Sequence, residues 1–326
     1  MATILVTGGA GYIGSHACKA LAEAGHLPVA YDSLVTGWRK AVRFGPFEQG
    51  DLNDASRLDE VLARHRPDAV MHFAALSNVG EASEKPLLYW RNNVGGTIAL
   101  LDAMARAGIR RLVFSSTCAV YGDHDGVTLD ETCPTVPLNA YGASKLAVER
   151  ILETLGAASH LDWVSFRYFN VAGADRDATI GEHHRPETHL IPLCLDAASG
   201  RRPALKLFGE DYPTRDGTCI RDYIHVEDLV AGHILGLDHL LNGGASMAFN
   251  LGTGTGSTVR EVIDAVVRVT GLPVPVETVE RRAGDAISLV SGSTRAQAVL
   301  GWQPRHDLDS VIRSAWAWHQ KGDVFA

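Results

Sequence analysis

A short apolar run near the beginning of the chain is followed by spaced glycines and then by a helical pattern. Residues 4–6 are Ile-Leu-Val, and Gly8, Gly11 and Gly14 follow them at intervals of three. Residues 15–24 have the composition of a helix, and a glycine stands at position 25. The order of these features predicts a buried strand, a tight glycine turn and a helix.

The change from apolar run to helical pattern repeats along the first half of the chain. Predicted helices end near residue 66, span residues 86–107, and begin after residue 139. They alternate with predicted buried strands at residues 28–31, 69–73, 111–115 and 163–169. Strands that alternate with helices predict a parallel sheet with right-handed crossovers.

The second half of the chain has a less regular pattern. Helices are predicted at residues 190–199, 226–241, 259–270 and 308–320, and strands at residues 205–208 and 249–251. The expected fold is therefore α/β, a Rossmann-type doubly wound parallel sheet with a smaller C-terminal α/β substrate-binding domain. We expect a dinucleotide-binding domain over residues 1–170, with later segments returning to its sheet, and a domain that mainly binds substrate over residues 171–326.

The glycine turn at the start of the chain has the composition of a diphosphate-binding turn. Glycines allow a sharp turn and a close approach of the pyrophosphate, and the unpaired N–H groups at the helix start attract the anion. An ordinary tight turn between strand and helix is the alternative that these residues leave open.

An acidic residue follows the second predicted strand. Asp32 stands 18 residues beyond Gly14, where a carboxylate can accept hydrogen bonds from the adenosine ribose hydroxyls. This favours NAD over NADP, because the same carboxylate would repel a 2′-phosphate. Arg39 and Lys40 lie just downstream and are able to pair a phosphate, but two adjacent basic residues are more often part of a solvated loop.

The helix that begins after Asn139 carries the candidate chemistry. Tyr141 and Lys145 are four residues apart and share one helical face. A tyrosine ionises near pH 10, so an ammonium group beside it favours the phenolate and makes it a useful base. Such a pair is common on protein surfaces, but here it follows a glycine turn and the strand end Ser115-Ser116-Thr117.

Composition and charge narrow the functional class. The chain of 326 residues has 46% hydrophobic and 21% charged residues and a net charge of −8, and no Lys/Arg-rich run that would bind nucleic acid. No apolar run approaches the roughly 20 residues that span a bilayer, and no basic segment precedes the first strand. The five cysteines are widely spaced, without a CxxC pair, and are expected to be reduced thiols. We therefore expect a cytoplasmic protein that binds neither membranes nor nucleic acid.

Two further features invite a binding hypothesis. Residues 252–256 resemble a second phosphate loop but lack the Gly-Lys-Ser/Thr ending, so a turn between strand and helix is expected. His183, His184 and His189 resemble a metal site, but adjacent histidines point in different directions and no acidic residue stands at ligand spacing. A polar loop without metal is the interpretation we favour.

Taken together, these motifs resemble the extended short-chain dehydrogenase/reductases over nearly the whole chain. The resemblance is carried by residues 7–14, 72–75, 92–94, 115–117, 120–122, 141–145 and 167–170. Within this family, the nucleotide-sugar epimerases resemble the chain at further positions. These are residues 211–214, 216–218, 221–226, 282 and 284–285.

The resemblance implies NAD as cofactor and a UDP-sugar as substrate. The positions that it assigns to the cofactor are Gly8, Gly11, Tyr12, Ile13, Gly14, Asp32, Asp51, Leu52, Phe73, Ala74, Ala75, Asn93, Ser115, Tyr141, Lys145 and Tyr168. The positions that it assigns to the substrate are Thr117, Tyr141, Asn170, His189, Leu190, Leu207, Arg221, Tyr223, Arg282 and Asp285. Its arginines suit forked contacts with phosphate oxygens.

The implied activity is an isomerisation between UDP-glucose and UDP-galactose by transient oxidation at sugar C4. Tyr141 would be the base, Lys145 its partner, and Thr117 a hydrogen-bonding group for the reacting oxygen. The resemblance also implies a homodimer that packs through residues 86–107 and 139–156.

A few positions depart from the pattern of the family. Ser77 stands where some relatives have lysine, His189 stands where others have asparagine, and Ser291-Gly292-Ser293 replaces a segment that often continues with Ala-Asp. Leu289 matches a position whose size is thought to decide whether an N-acetylated sugar fits. Leucine is bulky, which favours glucose and galactose and leaves N-acetyl, pentose or uronic-acid sugars as alternatives.

Two other classes of function remain as rivals. A nucleotide-sugar 4,6-dehydratase needs an acid beside the hydroxyl residue, but Cys118 follows Thr117 here. A non-catalytic regulator that binds a dinucleotide would not need Tyr141 and Lys145, and both are present.

Overall fold

The computed structural model describes residues 1–124, 126–281 and 286–322. Its strands are β1 (Thr3–Thr7), β2 (Leu27–Asp32), β3 (Phe47–Gln49), β4 (Ala69–His72), β5 (Arg111–Ser115), β6 (Asp162–Tyr168), β7 (Asn170–Ala172), β8 (Leu205–Phe208), β9 (Ile220–His225), β10 (Met247–Leu251), β11 (Gly256–Thr258), β12 (Val276–Val279) and β13 (Ser288–Leu289).

The helices follow the strands in the alternating order that the sequence predicts. They are α1 (Tyr12–Glu23), α2 (Ala55–His65), α3 (Val79–Glu84), α4 (Pro86–Tyr89), α5 (Gly96–Ala107), α6 (Ala140–Ala157), α7 (Leu190–Ala198), α8 (Val226–Leu241), α9 (Val259–Thr270), α10 (Thr294–Leu300) and α11 (Leu308–His319). Short 3-10 turns span Arg39–Ala41 and Cys118–Val120, and one π-helical segment spans Trp90–Gly95. Within the described ranges no helix has the length and apolarity needed to cross a bilayer.

Seven strands form one sheet in the order β10-β6-β5-β4-β1-β2-β3. All of its neighbouring strands are parallel. The central strands are apolar along their length and buried on both faces, as a parallel sheet between two helical layers requires. This confirms the predicted fold class, and β10 confirms the strand predicted at residues 249–251.

Helices cover both faces of the sheet. On one face, Leu21 of α1 and Leu229 of α8 pack in a cluster with Ile4 and Phe166. On the other face, apolar side chains of α2, α5 and α6 pack in a cluster with Leu5. They include Leu58, Leu100, Met104 and Leu152. The sheet is thus the middle of three layers.

The remaining elements pack beside the carboxyl edge of this sheet. A third cluster joins α7, α9 and α11 through residues such as Ile191, Val262 and Ile312. β9 pairs with β7, β11 and β13, and β12 pairs with β8. These elements form the surface that faces the ends of the large sheet.

Three local differences separate the sequence expectations from the structure. The helical pattern at residues 86–107 is interrupted by the π-helical segment, so one extra residue per turn is accommodated at residues 90–95. The expected turn at residues 252–256 does not lead directly into a helix, because β11 intervenes before α9. The patterns also did not reveal α3, α10, β3, β7, β9, β11, β12 and β13.

Candidate active site

The carboxyl ends of the parallel strands bring polar residues to one edge of the sheet. β1, β2, β4, β5 and β6 end at Thr7, Asp32, His72, Ser115 and Tyr168. Ligands of open α/β sheets bind outside this edge. The candidate site is therefore built on the loops that follow these strands.

The glycine turn after β1 is shaped by close backbone contacts. Gly8 has a φ of +73°, and a Cβ atom there would lie 2.7 Å from the backbone nitrogen of Ala74. A Cβ atom at Gly14 would overlap the carbonyl oxygen of Gly8. Only glycine fits at these two positions, which leaves the main chain bare where a diphosphate approaches.

The start of α1 completes this cradle. Gly11 is the N-cap and provides no side-chain hydrogen bond, and the first turn of α1 carries no acidic residue. The first N–H groups of a helix have no acceptor within the helix, so the backbone at Tyr12 and Ile13 is suited to an anion. The side chain of Tyr12 donates to the carbonyl oxygen of Gly173 at 2.7 Å, which ties this turn to the segment after β7. The cradle fits the pyrophosphate of a dinucleotide.

Asp32 lies at the end of β2 with its carboxylate next to the glycine turn. Its two oxygens accept from the backbone N–H groups of Ala10 at 3.0 Å and Leu34 at 2.8 Å. Burial raises the pKa of Asp32, and these two N–H groups oppose that shift. The carboxylate is thereby fixed in place and keeps lone pairs for ribose hydroxyls.

Asp51 and Leu52 follow β3 at the neighbouring strand end. The carbonyl oxygen of Asp51 accepts from the hydroxyl of Tyr31 at 2.7 Å, and its side chain accepts from the backbone of Asn53 at 2.8 Å. Leu52 is buried, and a Cβ atom added at Gly96, at the start of α5, would lie 3.1 Å from the Cβ atom of Leu52. Both residues therefore lie on the side of the site where Asp32 ends β2.

The loop after β4 contains Phe73, Ala74 and Ala75, and it is held by Asn93. The Asn93 side chain accepts from the N–H of Leu76 at 2.9 Å and donates to its carbonyl oxygen at 3.0 Å. It also donates to the hydroxyl of Ser144 on α6 at 3.1 Å. Asn93 lies in the π-helical segment, a distortion that is frequent at functional sites, and here it connects three elements of the site.

Lys145 lies beneath the end of β5. Its Nζ donates to the carbonyl oxygen of Ser115 at 2.7 Å and lies 4.9 Å from the centre of the Phe114 ring. Burial lowers the pKa of Lys145 to about 7, although the carboxylate of Glu149 opposes the shift. The hydroxyl of Ser115 also forms a short hydrogen bond with that of Tyr168. Lys145, Ser115 and Tyr168 are thus brought together as the sequence predicts.

Tyr141 is the second residue of the same helix, whose N-cap is Asn139. Burial raises the pKa of the Tyr141 phenol well above its usual value, Tyr168 adds to this, and the hydroxyl of Thr117 opposes it. Thr117 and Tyr141 therefore face each other across the site. The lowering that the sequence led us to expect from Lys145 is not the net effect in the ligand-free chain, because burial outweighs it.

Asn170, Arg221 and Tyr223 are brought to neighbouring strands. Asn170 of β7 pairs in register with Tyr223 of β9, and Arg221 lies two residues earlier on β9. Burial raises the pKa of Cys118 to about 12, and the charge of Arg221 opposes that shift. Arg221 therefore lies near the segment that carries Thr117.

The other predicted substrate residues are more dispersed. His189 is the N-cap of α7 and Leu190 is its first residue. Leu207 is only 2% exposed in β8, so its side chain offers almost no surface to a ligand. Arg282 and Asp285 lie outside the described residues.

The glycine-rich segment after β10 holds an internal carboxylate instead of a phosphate. Asp222 accepts from the N–H groups of Thr253 at 2.8 Å, Gly254 at 3.0 Å and Ser291 at 3.1 Å. These donors are therefore already engaged, in agreement with the expectation that this segment is not a phosphate loop.

The sequence showed no acidic residue at ligand spacing from the histidines at positions 183–189, but the fold brings two glutamates beside them. His184 and His189 both lie within ion-pair distance of Glu182 and Glu187. His183 points elsewhere, with its ring centre 4.7 Å from that of Trp38. The fold of the loop brings these groups together, and their spacing in the sequence matches no common ligand motif.

Glu149 is a second residue that the sequence analysis missed. It follows Lys145 by four residues, as Lys145 follows Tyr141, so all three share one face of α6. Its carboxylate is buried against Arg167 at 2.6 Å. The spacing of four residues between Tyr141, Lys145 and Glu149 is the signal in the sequence that could have identified Glu149.

Comparisons with known proteins agree on one class of relatives. The profile of the NAD dependent epimerase/dehydratase family matches residues 4–252. A UDP-glucose 4-epimerase of Rhizobium leguminosarum bv. trifolii is 54% identical over 321 residues, which cover 98% of each chain.

Solved structures give the same result. A UDP-glucose 4-epimerase from Brucella ovis in complex with NAD has a TM-score of 0.95 and 47% identity, covering 97% of this chain and 98% of that one. A UDP-glucose 4-epimerase from Stenotrophomonas maltophila, with bound NAD and formylated UDP-arabinopyranose, has a TM-score of 0.97 and 42% identity, covering 100% of both chains.

Proposed function

The chain belongs to the NAD-dependent epimerase/dehydratase family, and we propose that it is an isomerase that interconverts UDP-glucose and UDP-galactose. The observation that carries this proposal is the convergence of Tyr141, Thr117 and Lys145 at the strand ends beside the glycine turn. Relatives that match almost the whole chain are UDP-glucose 4-epimerases, which supports the choice of reaction.

The chain's own residues move and hold the proton of the reacting hydroxyl. Tyr141 removes the proton from the 4-hydroxyl of the sugar and returns it after the sugar has turned. Thr117 hydrogen-bonds the same oxygen and keeps it near the phenol. Lys145 supplies positive charge behind the Ser115 carbonyl and stabilises the phenolate as it forms.

NAD supplies the reversible oxidation at sugar C4. Gly8, Gly11 and Gly14 would offer it a bare main-chain surface, Asp32 would accept from its ribose hydroxyls, and Asn93 holds the loop that would border it. Burial and the neighbouring Tyr168 raise the pKa of the Tyr141 phenol, so a positive charge beside it, which NAD would supply, would favour the phenolate.

The nucleotide is bound by the elements beyond residue 170. The residues that we propose for this role are Arg221 and Tyr223 of β9, Asn170 of β7 and the first residues of α7. The resemblance adds Arg282 and Asp285, which lie outside the described residues. A guanidinium binds phosphate oxygens in a forked geometry, so the nucleotide stays fixed while the sugar rotates.

Leu289 supports glucose and galactose as the preferred sugars. It pairs in register with Arg221 and packs, partly buried, against a cluster that contains Tyr121 and Phe169. A leucine held in this way fills space that an acetamido group would need.

The enzyme is proposed to act as a homodimer in the cytoplasm. The helices over residues 86–107 expose apolar side chains, with Leu87 at 66%, Trp90 at 38% and Ile98 at 44%. Exposed apolar residues on adjoining helices favour a protein interface over solvent. The five free cysteines are consistent with a reducing compartment.

The first experiment gives the purified protein UDP-galactose without added NAD and follows UDP-glucose by NMR. We expect conversion by the wild type and a loss of at least about 100-fold in Tyr141→Phe, the range for removal of an acid–base group. Tyr89→Phe is the matched control, because this buried tyrosine packs in the same cluster but donates to the carbonyl oxygen of Asn78.

Conversion that survives in the control and is lost in Tyr141→Phe supports an epimerase that retains its cofactor. No conversion by the wild type, even with NAD added, would reject the glucose and galactose assignment. UDP-N-acetylhexosamines, UDP-pentoses and UDP-uronates would then be tested in the same assay.

A further inference from the structure

Four side chains between β7 and α7 bring one potential ligand atom each to a common point. We call this group the loop cluster; its members are Glu182, His184, Glu187 and His189. We propose that the loop cluster binds one zinc ion. This site does not include the proposed acid–base residues and does not depend on the reaction that they perform. It shares His189 with the positions that the resemblance assigns to the substrate.

The distances between the ligand atoms suit a tetrahedral ion. Nδ1 of His189 lies 2.9 Å from Glu182 and 3.1 Å from Glu187. Nδ1 of His184 lies 3.3 Å and 3.5 Å from the same two carboxylates. Zinc bonds of about 2.0–2.2 Å in tetrahedral geometry place ligand atoms about 3.3–3.6 Å apart. The two distances to Glu187 involve its two different oxygens, and the four ligand atoms all lie within 4.8 Å of one another. The side chains therefore need a modest rearrangement to accept the ion.

One nitrogen of the loop cluster is buried without a hydrogen bond. Nδ1 of His184 is inaccessible to solvent, and it meets neither neighbouring carboxylate in hydrogen-bond geometry. A buried polar atom without a well-formed hydrogen bond is costly, and this nitrogen lies beside two carboxylates, so it is suited to a metal. The Glu182 side chain is also only 6% exposed.

The carboxylate of Glu187 is already oriented by the main chain. Its Oε1 accepts from the N–H groups of Thr188 at 2.7 Å and His189 at 2.8 Å. Hydrogen bonds of this kind fix the orientation of a metal ligand, so less conformational entropy is lost when the metal binds. The Oε2 atom of the same group faces His184.

The charges of the loop cluster balance with a divalent ion. Two carboxylates and two neutral imidazoles leave a charge of −2, which one zinc ion cancels. Without the ion, two imidazolium protons would have to supply the same balance. Imidazole nitrogens and carboxylate oxygens are both zinc ligands, and a set of four leaves no open position for a substrate on a tetrahedral ion.

The position of the loop cluster gives such an ion a structural role. The rings of His184 and Tyr12 lie edge to face at 6.3 Å, and His189 is the N-cap of α7. An ion here would hold the segment before α7 against the first turn of α1. It would thus join the two parts of the chain that border the nucleotides.

The test uses the full chain without a histidine tag, treated with chelator and then titrated with zinc by calorimetry. We expect one equivalent to bind with a Kd of about 1 µM or tighter, and His184→Asn and Glu187→Gln each to weaken binding about 100-fold. Cobalt titrated in place of zinc should produce the visible bands of four-coordinate cobalt.

The matched control is His306→Gln, from a second group of His225, Glu227 and His306. Binding should persist in this variant, because both ring nitrogens of His225 are hydrogen-bonded already.

Stoichiometric binding that is lost in both cluster variants and kept in the control supports the proposal. Circular dichroism checks that each variant is folded, and two chemically different variants guard against a defect specific to one. Weak or substoichiometric binding by the wild type, or equal binding by His184→Asn and Glu187→Gln, would overturn it. Both results are independent of epimerase activity, because no sugar nucleotide is present.

Discussion

Glu149 connects the helix of the proposed catalytic residues to the sheet. Its carboxylate accepts from the hydroxyl of Ser116 at 2.5 Å, from Ser165 at 3.1 Å and from Arg167 at 2.6 Å. Since Ser116 follows β5 and both Ser165 and Arg167 belong to β6, this carboxylate joins α6 to the end of β5 and to β6. The distance between Tyr141 and Thr117 therefore depends on it.

Glu149→Gln should lower the free energy of unfolding by about 3 kcal/mol, because it leaves the buried Arg167 without its charge partner. Urea unfolding followed by circular dichroism measures the change. Glu153→Gln is the control on the same helix, where the ion pair with Arg150 is exposed and its loss should cost less than about 1 kcal/mol. Equal effects of the two variants would contradict the role given to Glu149.

Lys145 should make the stability of the nucleotide-free protein depend on pH. Burial holds its pKa at about 7, whereas the unfolded chain has a lysine pKa of about 10.4. Between these values the unfolded chain binds more protons, so the contribution of Lys145 to stability rises with pH. The difference in unfolding free energy between the wild type and Lys145→Met should therefore shift in favour of the wild type from pH 7 to pH 9.5. Urea titrations at each pH test this, and a flat difference would argue against a buried lysine of low pKa.

At the scale of elements, the start of α6 lies unusually close to the 3-10 turn that follows Thr117. A Cβ atom at Gly142 would overlap the carbonyl oxygen of Ala119 and lie 3.1 Å from Pro137. This approach places Tyr141 against Thr117. The proposed acid–base geometry thus rests on the absence of one side chain.

Gly142→Ala should lower kcat by about 10- to 100-fold, because a displacement of the order of 1 Å at a reacting group has this cost. KM for the UDP-sugar should change little, since Arg221 and α7 are not moved. The control is Gly95→Ala, where the nearest atom to an added Cβ is 4.0 Å away. Steady-state kinetics on both variants measure kcat and KM separately. An unchanged kcat in Gly142→Ala would refute this explanation.

The sequence predicted elements well wherever their ends carry a local signal. Asn139 caps α6 and Gly108 ends α5 with a φ of +73°, so both boundaries could be read from single residues. The π-helical segment and β11 had no such signal, because they arise from contacts with α6 and β9. Elements fixed by tertiary contacts are not encoded in their own pattern.

At the scale of the whole molecule, the proposed homodimer gives a test of its own. Leu87→Asp combined with Ile98→Asp should reduce the mass from twice the chain mass of 35.0 kDa to that of one chain, because two charges would be buried in the interface. Size-exclusion chromatography with light scattering measures it. Val276→Asp, which changes an apolar residue 42% exposed on β12, should leave the dimer intact. A wild type that is monomeric would reject the proposal.

The candidate site could be predicted from the sequence only in part. The glycine turn and the Tyr141–Lys145 pair are local motifs with known chemistry, so their positions were readable. The loop cluster was not, because Glu182 and His189 are seven residues apart and meet only through the path of their loop. The net pKa of Tyr141 was also beyond the sequence, since it depends on burial by residues from several elements.

The edge strand β10 has a consequence for the synthesis of the chain. It pairs with β6 along residues 164–168, although about eighty residues separate the two strands. A ribosome that adds roughly 5–20 residues per second takes on the order of 4–16 seconds to make that stretch. During this time the nascent β6 has an unpaired edge, which is a template for wrong partners. In a fragment that stops at residue 170, this edge of β6 would stay unpaired. The dinucleotide-binding half therefore depends on a strand that is translated much later for protection against aggregation.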